Sequence, residues 1–94
     1  MFLLMSRYVK PLEEVEKWLP EHRAFLDRHY AAGTFLVSGP LEPRTGGCIV
    51  TVNMTREAVD EILAQDPFMR EGVSAYDIIE VRPTKRHNAL KDFF

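Results

Sequence analysis

The run TFLVSGPLEPRTGGCIVTVN, residues 34–53, reads as two strands and the loop between them. Thr34–Ser38 is short and rich in strand formers, and Gly39-Pro40 breaks it. The loop 41–46, LEPRTG, is polar and made of turn residues. From Gly47 to Asn53 the side chains alternate, with Cys48, Val50 and Val52 on one side and Ile49 and Thr51 on the other. Strands this close along the chain pair antiparallel, here through a loop too long for a two-residue turn.

Outward from that hairpin the chain has a loose twofold rhythm, a helix and then a strand on each side. Upstream, Pro11–Ala32 is helical in composition. Pro11 suits a first-turn position, and Glu13, Glu14 and Glu16 place acid near the positive end of the helix dipole. Pro20 lacks an N–H, which predicts either two helices, 12–18 and 20–32, or one helix kinked near 19. Gly33 stands where a left-handed C-terminal cap is needed. Phe2–Tyr8 reads as a strand stopped by Lys10-Pro11, and it is apolar on both faces. Downstream, Thr55 caps a helix over Arg56–Ala64 that turns Ala58, Val59, Ile62 and Leu63 inward. Asp66, before Pro67, stops that helix; Pro67–Glu71 makes one further turn, which Gly72 ends. Ala75–Arg82 is the fourth strand, bounded by Pro83, with Tyr76, Ile78, Glu80 and Arg82 on one face. The tail 84–94 is polar until Phe93-Phe94 and carries no firm structure.

The order βαββαβ predicts a ferredoxin-like α+β fold, a four-stranded antiparallel sheet with two helices on one face, in a single domain over residues 1–83. Helices on one face leave the large apolar side chains of the first two strands uncovered on the other. Such a patch usually marks an interface, so a homodimer packed sheet to sheet is expected.

Composition narrows the function classes. Ninety-four residues leave no room for a second core, and 46% of them are hydrophobic, enough for one core and some shared surface. The 12 basic and 14 acidic residues give a net charge of −2 with no basic block, which speaks against nucleic acid or an acidic membrane surface as the partner. Lone Cys48 makes no internal disulfide, so a reducing compartment is expected. MFLLMSRYVK is too short an apolar run for a signal peptide or a membrane span, which makes cytoplasmic the default.

One helical face holds the chemical oddity. In EHRAFLDRHY, Glu21–Tyr30, His22 falls in the middle of a stripe formed by Phe25, Leu26 and Tyr30, with His29 almost beneath it. An imidazole titrates near neutral pH and can carry a proton there. The bland reading, a core histidine satisfied by a backbone carbonyl, competes with that one. Asp66 likewise reads as a simple N-cap of the Pro67 turn. Ser38 sits at a strand end where side chains reach clefts, but no nucleophile elbow surrounds it. Arg82 and Arg7, near strand ends, could meet an anionic ligand or remain solvated charges. No close-spaced ligand pair exists, so a dedicated metal site is rejected.

With these residues in view the chain resembles the YciI-like (YCII-related) family of the dimeric α+β barrel superfamily, over roughly residues 1–83. The matching pieces are the apolar first strand, the helix carrying His22, Ser38-Gly39-Pro40, Gln65-Asp66-Pro67-Phe68, Glu71-Gly72-Val73 and the basic end at Arg82-Pro83. The chain departs from the pattern in Pro20 and in its longer polar tail. The resemblance implies a small dimeric enzyme with a His–Asp site in a cleft between helix and sheet. One relative acts on a chlorinated hydroxyhydroquinone as a dehydrochlorinase, and neighbouring families isomerise muconolactone. Carried over by position, His22 is the acid/base and Asp66 its orienting partner. Ser38, His29, Pro40 and Arg82 are the expected substrate contacts, and no cofactor is implied. The ligand is a small cyclic or aromatic molecule handled by lyase or isomerase chemistry. The alternatives are a binding or accessory module that uses the same cleft without turnover, and a plain dimerisation scaffold in which His22 is purely structural.

Overall fold

The computed structural model describes residues 1–94. Its elements run β1 Phe2–Tyr8, α1 Leu12–Ala31, β2 Phe35–Pro40, β3 Gly46–Thr51, α2 Arg56–Leu63, the short α3 Pro67–Arg70 and β4 Ser74–Glu80. The four strands form one antiparallel sheet in the order β2-β3-β1-β4. This is the ferredoxin-like α+β fold, with β1 and β3 central and β2 and β4 at the edges.

Several boundaries differ from the sequence reading, β3 ending at Thr51 and β4 at Glu80, and of the two readings of Pro20 the single helix holds. Pro20 does not divide the first helix, which runs unbroken from Leu12 to Ala31. Pro20 lies on the exposed side, while Val15 and Phe25, fully buried on either side of it, hold both halves to the same core. Gly39-Pro40 does not end β2 either, because Gly39 pairs with Cys48 and Pro40 with Gly47. An edge strand tolerates proline, since the N–H it lacks need not serve a neighbour. A register shift between Phe35 and Val37 bends the same strand. The tail holds only a 3-10 turn at Asn88–Leu90.

The turn chemistry follows the residues. Gly33 and Gly72 adopt φ of 77° and 68°, in the left-handed region where a Cβ is strained. Thr55 caps α2 by accepting from the Ala58 N–H at 3.1 Å.

Two packed clusters lie between helices and sheet. The larger joins Phe2, Leu4, Phe25, Phe35, Ile49, Val59, Ile62 and Leu63; the smaller joins Val15, Phe68 and Val73. The opposite face of the sheet has no cover within the chain. Across it runs a row in register, Val37 beside Val50, Val50 beside Leu3 and Leu3 beside Ile79. Val37 and Ile79, at its two ends, are 58% and 46% exposed.

Candidate active site

The chemistry collects where the two clusters meet. The His22 ring stacks on Phe68 of the smaller cluster, centroids 3.9 Å apart and planes 2° from parallel, and lies 6.0 Å from Phe25 of the larger. Stacking and the buried turn beneath it fix the ring's plane, so its two nitrogens have defined directions.

Asp66 is fully buried and accepts from three groups. Its Oδ1 takes the His22 Nδ1–H at 2.8 Å and the Phe68 backbone N–H at 3.0 Å; its Oδ2 takes the Tyr76 hydroxyl at 2.6 Å. The Phe68 N–H and the Tyr76 hydroxyl both donate, which is the pattern of an ionised carboxylate, and a carboxylate that only accepts assigns the proton of neutral His22 to Nδ1. The cap and the histidine partner, rival readings of Asp66 in the sequence, are therefore one oxygen serving both. Proline at the first helical position and Asp66 at the cap hold that oxygen in place.

The arrangement leaves His22 Nε2 with no protein partner. Ser74 Oγ is the one buried side-chain polar atom without a hydrogen bond, so Nε2 is not sealed in hydrocarbon. His22 lines a cavity of about 550 Å³, a size suited to a small organic ligand. Its walls are one face of α1, the far end of β1, the last residues of β2 and the start of β3, closed by Phe68 and Tyr76. Burial, and then the charge of Asp66 and the hydrogen bond to it, push the Tyr76 phenol far above its ordinary value, so it stays a donor. Cys48 borders the cavity too, but its side chain alternates to the side of Val50, and burial pushes its thiol up, which makes it a poor nucleophile.

The other expected contacts divide. Ser38 and Pro40 are on the cavity wall. Ser38 Oγ lies 2.6 Å from Tyr30 Oη, which ties the end of β2 to the end of α1. His29 is not on the wall. Its Nε2 meets Gln65 Oε1 at 3.0 Å, and its ring packs on Phe25 and Phe35 at 5.0 and 5.1 Å. Arg82 is also outside. Antiparallel register sets Phe2 beside Glu80, so residues past Glu80 lie at the end of the sheet opposite Ser6 and Tyr8, where the cavity is. Tyr76, Arg23 and Arg44 are on the wall and were not singled out by sequence reasoning. Alternation along β4 does mark Tyr76 as sharing a face with Ile78, but nothing local names Asp66 as its partner.

The fold agrees with the comparisons to known proteins. A family model described as YCII-related domain matches residues 1–82. No curated protein sequence matches the chain. Among solved structures, the chain is similar to 5-chloro-2-hydroxyhydroquinone dehydrochlorinase from Burkholderia phenoliruptrix AC1100, in complex with 2,5-dihydroxybenzoquinone. The likeness has a TM-score of 0.71 at 21% identity and covers 87% of this chain and 94% of that one. No helix is long and apolar enough to cross a membrane.

Proposed function

The chain belongs to the YCII-related family, and from that premise we propose that it is a small dimeric enzyme using His22 and Asp66 for proton transfer on a cyclic or aromatic metabolite. The observation that carries the reading is the 2.8 Å contact between His22 Nδ1 and a fully buried Asp66, with Nε2 unpaired and His22 on the cavity wall. In this role Nε2 takes a proton from a ring hydroxyl or from carbon beside a carbonyl. Asp66 keeps the tautomer and stabilises the imidazolium, and Tyr76 and the Phe68 N–H hold Asp66. In an isomerisation the proton returns to another atom of the same ligand. In an HX elimination the C–X bonding pair leaves with X⁻ as the new double bond forms. Ser38 and Pro40 contact the ligand.

The dimer is formed through the uncovered sheet face, whose apolar row needs a partner surface. The bulk of Leu3 lies at the centre of that row, and Leu3→Lys is expected to give monomers in light scattering.

Turnover is tested by chloride release from 5-chloro-2-hydroxyhydroquinone, the compound in the neighbour's name, and by deuterium wash-in to muconolactone from D₂O. The expected result is turnover by the wild type that falls on the order of 10²–10⁴-fold in His22→Gln, the range for a positioned acid/base. Equal rates in His22→Gln would sink the acid–base role. Ligand binding without product in the wild type would mark a binding module instead.

A further inference from the structure

The cavity wall carries a cation that no wall carboxylate pairs. Besides His22, its charged wall residues are Glu16, Arg23 and Arg44. Glu16 Oε1 accepts from Arg44 Nη1 at 3.2 Å, so these two neutralise each other between α1 and the β2–β3 loop. Arg23 has no such partner. It takes part in none of the ion pairs, and Asp27, one helical turn on, does not reach it. In a protein of net charge −2, a bare guanidinium on a cavity wall runs against the average.

Apolar groups share the wall with it. Leu19 and Leu26 flank Arg23 at helical spacing on the same wall, and Pro40 and the His22–Phe68 stack complete it. A guanidinium presents parallel N–H groups that fit a carboxylate two at a time. In a cavity partly closed to water, that contact is stronger than on open surface.

We propose that Arg23 is the anion-binding residue of this cavity. Its ligand is a small planar ring bearing a carboxylate or comparable delocalised oxyanion, seated with the ring against the apolar wall. As a statement about substrate this rests on the acid–base reading above; as a statement about binding it stands or falls separately.

The test uses benzoate and benzamide, nearly equal in shape and differing in charge. Each is titrated into the full chain while the amide signals of Gly39 and Gly47 on the cavity wall are followed by NMR. Benzoate is expected to bind at least about tenfold more tightly than benzamide, as a charge-assisted contact allows. Arg23→Gln removes that ratio, and Arg23→Lys keeps part of it. Arg28→Gln, the same charge change on the same helix but off the cavity wall, keeps all of it. No preference for benzoate, a preference that survives Arg23→Gln, or no response of the cavity amides would overturn the assignment. A benzoate preference that persists in His22→Gln, in a protein that turns nothing over, would leave the anion site standing and the enzymatic reading fallen.

Discussion

His22 and His29 lie seven residues apart on one helix, and their partners, Asp66 and Gln65, are adjacent in the chain. Composition and spacing make the two regions nearly alike. The structure makes them opposites. His22 meets a buried carboxylate that two further donors hold, and its side chain is 12% exposed at the cavity. His29 meets a neutral, exposed amide and packs its ring edge on Phe25. What separates a candidate acid/base from a packing histidine here is the charge and burial of the partner and the surroundings of the free nitrogen. The ring itself is the same.

The largest expected contrast between the two regions is in stability. Asp66→Ala strands the Phe68 N–H, the Tyr76 hydroxyl and a His22 nitrogen in a mostly buried place, where each unpaired group costs about 1–3 kcal/mol. Allowing for relaxation, a loss of about 3–5 kcal/mol is expected in urea unfolding. Gln65→Ala, which removes one exposed hydrogen bond, is expected to cost below about 1 kcal/mol. Similar losses for the two variants would break the comparison at its root.

How much of this was legible in the sequence follows from the range of the signals. Alternation in residues 47–53, the caps at Thr55 and Asp66 and the glycines at 33 and 72 are local, and each marks its element. Pro20 left one helix or two open, and Pro40 did not end β2, because packing and edge position outweigh proline's local penalty and no local pattern reports them. The uncovered sheet face was visible, since a strand apolar on both sides implies cover on both. The contact of His22 with Asp66 was not, because helical period speaks only of neighbours on one element and these residues are 44 apart. Family resemblance supplied that pairing. Tyr76 and Arg23 were missed for the same reason: each acquires its meaning from another element docked against it.

Removing one support of Asp66 gives a smaller effect with a distinctive pH dependence. Tyr76→Phe deletes a hydrogen bond to a charged acceptor and is expected to cost about 1.5–3 kcal/mol at neutral pH. Because burial first, and then Asp66, raise the Tyr76 phenol, the folded protein holds this proton more tightly than the unfolded chain does. Its contribution is therefore complete below the unfolded tyrosine value of roughly 10 and declines as pH rises above it. The stability gap between wild type and Tyr76→Phe narrows over that range. Other groups that titrate there, Cys48 among them, are common to both proteins and cancel in the difference. A gap that stays constant from pH 8 to about 11 would show that the phenol is not held as the geometry implies.

The smallest effect is one that no unfolding curve registers, namely which nitrogen carries the proton. An ionised Asp66 only accepts, so neutral His22 is Nδ1–H with Nε2 unprotonated at the cavity. Gln65 meets His29 through its carbonyl oxygen, which also only accepts, so neutral His29 is Nε2–H. Nitrogen-15 shifts of the two rings at pH 8 are therefore expected to show opposite tautomers on one helix. Asp66→Asn can offer its amide N–H to His22 Nδ1 and so shift the His22 proton toward Nε2, removing the lone pair that faces the cavity. His29 should not respond. Matching tautomers in the wild type would mean that Asp66 does not control the ring, and the division between the two regions would then reduce to burial alone.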